Sequence, residues 1–210
     1  MAALITALHA ANQARLPITL VGAGLPQLLG RMGRAKSYAE RLFRFEPLGP
    51  LDSDSVAAAL RIPVEDEGER ITTAAIAAIQ FATEGYPYFL QEWGRQSWDV
   101  ADRSPIDHHD VVAASAAALA QLDASFFRVR FDRLTPKEKE YLRAMATLGP
   151  GPHRSGEIAL QLGKQVNSVG PVRNSLIQKG MIFSPDHGGT AFTVPMFDAY
   201  MRRVMPEYNL

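Results

Sequence analysis

Apolar residues recur at helical spacing three times between residues 135 and 180, then give way to two short apolar runs. Thr135-Pro136-Lys137-Glu138 opens the first helix with a Thr-x-x-Glu capping box and a proline where a backbone N–H would have no helical partner. Tyr141, Leu142, Met145 and Leu148 form its apolar stripe, and Gly149-Pro150-Gly151-Pro152 stops it. Ser155 is placed to cap a second helix with Ile158, Ala159 and Leu162 inward. Asn167 or Ser168 is placed to cap a third, with Val169, Val172 and Leu176 inward and Gly180 at its end. Met181-Ile182-Phe183 and Ala191-Phe192-Thr193-Val194 flank Pro185-Asp186-His187-Gly188-Gly189, which reads as two strands and a connecting loop. Met196, Phe197, Tyr200, Met201 and Val204 mark a last amphipathic helix.

The first half reads differently. Residues 2–14 suit a helix with Leu4, Leu8 and Ala11 on one face, followed by Leu16-Pro17-Ile18-Thr19-Leu20-Val21, the pattern of a strand buried on both faces. Leu42-Phe43-Arg44-Phe45 suits a second strand, but two strands and a helix cannot close an α/β sheet, so the chain reads as beginning inside a domain. After the hinge-like Leu48-Gly49-Pro50-Leu51, four helices are expected. Asp52 caps one carrying Val56 and Leu60 and broken at Ile62-Pro63. Ile71, Ala75, Ile76, Ile79 and Phe81 make a second, ending at Gly85. Pro87 opens a third with Leu90, Trp93 and Trp98, and Asp107 with Asp110 caps an Ala-rich fourth running to Leu122. The acidic run Glu65-Asp66-Glu67-Gly68-Glu69 reads as a solvated loop. Phe126, Phe127, Val129 and Phe131 make the link from Leu122 to Arg133 too apolar for a free linker.

With 210 residues, 47% of them hydrophobic, the chain has material for one large domain or two to three small ones. No apolar run approaches the ~20 residues of a membrane helix and no basic n-region opens the chain, so a cytoplasmic protein without a membrane partner is expected. The absence of Cys excludes disulfides, Cys-ligated zinc and thiol nucleophiles. His108-His109 lack a third ligand at metal spacing and no Gly-x-Ser-x-Gly elbow occurs, which leaves metal binding and hydrolase chemistry unsupported. Net charge is zero, yet residues 1–123 carry ten Arg/Lys against fifteen Asp/Glu and residues 124–210 carry twelve against seven, giving −5 and +5. The positive half holds the three-helix segment, as a DNA-facing module would require.

The Leu176-x-x-Lys179-Gly180-Met181-Ile182 pattern resembles winged-helix domains. Three further blocks, Pro17-Ile18-Thr19-Leu20-Val21-Gly22-Ala23-Gly24-Leu25-Pro26-Gln27-Leu28, Lys36-Ser37-Tyr38-Ala39-Glu40-Arg41-Leu42-Phe43 and Gly85-Tyr86-Pro87-Tyr88-Phe89-Leu90-Gln91, together resemble AAA-type ATP-binding proteins of the archaeal-initiator and STAND-like group. The resemblance covers only the C-terminal part of such proteins. It implies a mainly α chain with a small β component: the end of a P-loop α/β core at 1–50, a helical lid at 51–122 and a winged helix-turn-helix at 123–210. No Gly-x-x-x-x-Gly-Lys-Ser/Thr occurs and no apolar strand ends in an acidic pair, so the chain by itself is not expected to be an enzyme. ATP or ADP with Mg²⁺, and an upstream ATPase core, are implied for a longer parent only.

The same resemblance makes Arg41 the nearest match to an arginine that reaches a neighbouring subunit's nucleotide, implying a homo-oligomer; pairing with Glu40 or Glu46 is the simpler alternative. It also implies that the Gly85-Tyr86-Pro87 turn lies against bound nucleotide, with Gly85 giving close approach and Pro87 near the base. A plain helix–helix turn is the alternative. Gly22-Ala23-Gly24 stands where a sensor residue would follow a strand and offers only backbone.

For DNA, the third helix of the 135–180 segment turns Pro171, Asn174, Ser175 and Gln178 outward, with Asn167 and Ser168 leading. Asn and Gln can read adenine; Lys164, Arg154, Lys179, Arg202 and Arg203 can meet phosphates, and His187 a groove. Arg173 falls beside the apolar stripe, suited to a flank contact or an ion pair. The expected function is the lid and DNA-binding region of an AAA-type ATPase, coupling nucleotide state in an absent core to binding of duplex DNA. The alternatives are a protein-interaction or oligomerisation module of a STAND-like ATPase, and a free-standing winged-helix transcription regulator.

Overall fold

The computed structural model describes residues 2–24, 28–35, 38–186 and 188–206, and of residues 29–31, 34 and 40 the backbone alone. Leu25–Gln27, Lys36, Ser37 and His187 of the sequence motifs lie outside these residues. The chain divides into two units, Met1–Leu48 and Gly49–Leu210.

In the first unit, α1 (Ala2–Gln13), α2 (Leu28–Ala35) and α3 (Ala39–Leu42) gather a small core of Ile5, Met32 and Ala39. Ile5 turns inward and Leu4 outward, so the buried face of α1 is not the one its leucines suggest. The strands expected at Leu16–Val21 and Leu42–Phe45 do not form. The first segment has no regular secondary structure and pairs with no strand among the described residues, and Leu16, Ile18, Leu20 and Val21 are all exposed. A strand apolar on both faces is held only between two neighbours and two covering layers, and no strand among the described residues is there to pair with it.

The second unit is built on helices whose starts are fixed by side chains. The Asp52 carboxylate accepts from the Ser55 N–H at 2.8 Å and starts α4 (Ser53–Asp66). Contrary to expectation, α4 runs through Pro63; near the C-terminal end a proline forfeits one ladder bond, and Val64 beyond it is buried. Thr72 caps α5 (Thr73–Thr83), Pro87 opens α6 (Pro87–Val100), and a reciprocal Asp107–Asp110 capping box opens α7 (His108–Leu122). Phe81, expected inward, is 89% exposed, and Ile71 precedes α5, bridging to Ile106 instead.

The segment read as a link is continuous helix. A π-helical turn, Asp123–Phe127, carries α7 into α8 (Arg128–Asp132). The resulting run, His108–Asp132, is by length and composition apolar enough to cross a bilayer, which the sequence reading did not anticipate. Its inner face, Val111, Ala114, Ala118, Leu122 and Phe127, is core.

Next come α9 (Pro136–Leu148), β1 (His153–Arg154), α10 (Ser155–Gln161), α11 (Val166–Gln178), β2 (Ile182–Phe183), β3 (Gly189–Phe192) and α12 (Phe197–Val204). The Thr135–Glu138 capping box is present, while the residues before α10 and α11 are Arg154 and Gln165 rather than Ser155 and Asn167 or Ser168. The sheet has the order β1-β3-β2, antiparallel, with His153 opposite Thr190 and Ile182 opposite Phe192; β1 was not foreseen, being only two residues long. One apolar core runs from Val56 in α4 to Met201 in α12. Phe127 joins its halves, within 5.5 Å of Phe89 on one side and 5.2 Å of Tyr200 on the other, ring centre to ring centre.

Candidate functional site

The structure divides the expected DNA-facing residues: Asn167, Ser168, Asn174 and Gln178 lie on α11, Lys164 before it and Lys179 just after it, Arg154 in β1, and Arg202 and Arg203 on α12. Asn167, Ser168, Asn174 and Gln178 are exposed along α11, with Ser168 Oγ donating to the Gln165 carbonyl at 2.7 Å. They form one uncharged polar face. Lys164, at its leading end, is exposed and reaches Glu140 at 3.4 Å.

Lys179 and Arg202 are turned to internal work. Lys179 Nζ donates to Glu138 at 2.7 Å and to the Arg133 carbonyl at 2.9 Å. Glu138, 3% exposed, also accepts from the Thr135 N–H at 2.7 Å and Ser175 Oγ at 2.8 Å. Burial alone would raise its pKa, but Lys179, the Thr135 backbone and Ser175 outweigh it and hold the carboxyl at about 2. Arg202 pairs with Asp198 at 2.8 Å and donates to the Ala146 carbonyl, while Arg203 clamps Asp123 with two bonds. Arg173 makes no ion pair among the described residues: its guanidinium donates to Thr190 Oγ1 at 2.9 Å, Ser184 Oγ at 2.5 Å and the Gly189 carbonyl at 3.0 Å, tying α11 to the β2–β3 hairpin. Capping chemistry draws attention to Glu138 in the sequence, but nothing local announces Lys179, forty-one residues away, as its partner.

The second candidate is the Gly85-Tyr86-Pro87 turn. Glu84 and Gly85 both have left-handed φ, +53° and +70°, reversing the chain between α5 and α6. A Cβ on Gly85 would stand 2.7 Å from the Leu51 carbonyl oxygen, and the Leu51 N–H donates to the Gly85 carbonyl at 3.0 Å, so the turn is fastened to Pro50-Leu51. Burial, with the Asp198 charge adding, raises the pKa of Glu84.

Beside the turn is a feature missed in the sequence. Tyr88, 50% exposed, stacks on Phe126 at 5.0 Å and 23°, and the Arg130 guanidinium lies 3.6 Å from the centre of the Phe126 ring. Burial lowers the pKa of Arg130, Tyr86 and Tyr88 oppose that, and the like charge of Arg133 adds to it. The i, i+4 spacing of Phe126 and Arg130 is the signal that could have exposed the pair. In the first unit, Arg41 is exposed in α3; Glu46, offered as its partner, pairs with Arg44 instead.

A family model described as a domain of unknown function (DUF8462) matches residues 124–201. No curated protein matches the chain. Among solved structures, the Walker-type ATPase PABY2304 of Pyrococcus abyssi is similar over 73% of this chain and 42% of its own, at 18% identity and TM-score 0.59. A mutant of RuvB from Thermotoga maritima is similar over 78% of this chain and 51% of its own, at 14% identity and TM-score 0.34, too loose to define a shared fold. The chain thus spans less than half the length of the Pyrococcus ATPase, and its mainly helical fold is similar to part of that protein's.

Proposed function

We propose that this chain is the lid and winged-helix region of an AAA-type ATPase, in which residues 136–204 contact duplex DNA and the nucleotide state of an upstream core sets their position. The observation that carries this is the unbroken run His108–Asp132 inside one continuous core, together with the fold likeness to a Walker-type ATPase. The lid and the module beyond it would move as one arm, in place of motion between them. Leu16–Val21, apolar, exposed and without a strand partner among the described residues, is the segment suited to a sheet of that core.

We assign nucleotide binding to the upstream core rather than to this chain alone. The Gly85 carbonyl is taken by Leu51, no phosphate-cradling loop is present, and among the described residues no three His, Asp or Glu side chains gather to hold a metal. ATP or ADP and Mg²⁺ would belong to the upstream core, with Gly85, Pro87 and Arg41 as residues of this chain that approach nucleotide.

On DNA, Asn167, Ser168, Asn174 and Gln178 suit base edges, whereas phosphate contacts fall to Arg154, exposed with no ion pair among the described residues, and to Lys164, whose exposed pairing is weak enough to exchange. The α10–α11 corner favours a second reading, contact with another protein: Leu160 is 82% exposed and Val166 51%, beside a helix face without charge. Binding to random duplex DNA across a salt series separates the two. The DNA reading expects affinity falling steeply with salt and a slope reduced by about one for each of Arg154→Glu and Lys164→Glu. Absence of binding at low salt would sink it and leave the protein-contact reading.

A further inference from the structure

The excess positive charge of residues 124–210 does not sit on the exposed face of α11, which carries no Arg or Lys outward. Part of it lies on another face. Phe126, Arg130 and Arg133 follow one another at i, i+4 and i+7 along the helix that leaves α7, and Tyr88 from α6 completes the surface by stacking on Phe126. The carboxylates nearest in sequence are already spent: Asp123 on Arg203 at 2.6 Å, and Asp132 on Arg128 at 3.0 Å. Arg130 uses one N–H on the Phe126 carbonyl, at 2.9 Å, leaving most of its five donors unassigned, and Arg133 is exposed with no ion pair among the described residues.

We propose that the Tyr88–Phe126–Arg130–Arg133 face binds single-stranded nucleic acid, with an unpaired base stacking on Tyr88 and adjacent phosphates meeting Arg130 and Arg133. The chemistry narrows the partner in two steps. Two cations without local counter-charge select an anion, and a half-exposed aromatic ring already flat against another selects a planar group for the next layer. A duplex does not offer such a layer, because its bases are covered by their own neighbours. The seven-residue separation of Phe126 and Arg133, about 10 Å of helix at 1.5 Å per residue, gives room for more than one nucleotide. This surface adjoins the Gly85-Tyr86-Pro87 turn through Tyr88 and the end of α11 through Arg133, whose carbonyl accepts from Lys179, so its test uses single-stranded DNA with duplex and free nucleotide as competitors.

The experiment is fluorescence anisotropy with a labelled oligo-dT and the full chain at low salt. Tyr88→Ala and Arg133→Glu are each expected to weaken binding about tenfold, the effect of about 1.4 kcal/mol of stacking or contact. Tyr88→Phe, which keeps the ring, retains wild-type affinity, and Arg61→Glu on α4, a charge reversal away from this face, leaves oligo-dT binding unchanged. Circular dichroism melts of each variant establish that the fold is intact; Tyr88 and Arg133 are exposed, so their replacement leaves the core in place. The proposal is overturned by any of four results: no binding of oligo-dT, equal affinity of Tyr88→Ala and wild type, displacement by duplex or polyglutamate as effective as by unlabelled oligo-dT, or displacement by free nucleotide at the same nucleotide concentration.

Discussion

Glu138→Gln is the most informative single change, because one buried carboxylate holds the start of α9 to the end of α11, through Ser175 and through Lys179, which also donates to the Arg133 carbonyl. In the folded chain Glu138 has a pKa of about 2 against an ordinary value of 4.5. That difference corresponds to about 3 kcal/mol favouring the folded state when the carboxylate is charged. The depressed folded value fixes the sign: the contribution is complete above pH 4.5 and disappears as pH falls to about 2. Glutamine keeps the shape and loses the charge, leaving Lys179 half-buried without its anion, so at neutral pH the variant is expected to be about 3 kcal/mol less stable. Out of a typical total of about 5–15 kcal/mol this is readily measured. Urea unfolding of both proteins at a series of pH values is the assay. The gap between them should shrink as pH drops below 4.5 and close below about pH 2, where the wild-type carboxyl becomes protonated in the folded chain as well. A gap that stays constant across that range would refute the argument, since a purely steric role for Glu138 does not titrate.

Other changes test the packing and the turn. Gly85→Ala sets a Cβ against the Leu51 carbonyl oxygen at a residue with φ +70°, and a loss of about 1–3 kcal/mol is expected in thermal unfolding. Phe127→Ala opens the centre of the shared core and should cost about 3–5 kcal/mol; Trp fluorescence, which reports α6, and far-UV circular dichroism are expected to fall in one transition, and separated transitions would show that the lid and residues 136–204 have independent cores. Arg173→Leu removes three bonds from α11 to the β2–β3 hairpin, so hydrogen exchange should quicken at Phe183 and Ala191 while α4 to α7 keep their protection. Pro63→Ala restores a ladder bond inside α4 and is expected to raise stability by about 1 kcal/mol, read from the denaturant midpoint.

Where a signal is local, this sequence determined the structure closely. The capping boxes at Thr135–Glu138 and Asp107–Asp110, the Asp52 cap, Pro87 at the head of α6 and Gly180 after α11 all act through bonds a few residues long, and each element begins or ends where those residues stand. The mainly helical character and the short strands around residue 186 follow from the same kind of information. Tertiary structure decided the rest. The apolar pattern of Leu16–Val21 is that of a buried strand, yet a strand exists only with a partner, and none pairs with it among the described residues. Phe81 fits the helical period but faces outward, because period places a residue on a face and only packing says which face is covered. Whether a lysine is a phosphate contact or a structural cation is likewise undetermined by its own sequence: Lys179 is held inward by Glu138, which the chain brings to it from forty-one residues away. The Tyr88–Phe126 stack has the same origin, two aromatic rings from separate helices whose meeting depends on the continuous run from α7 to α8.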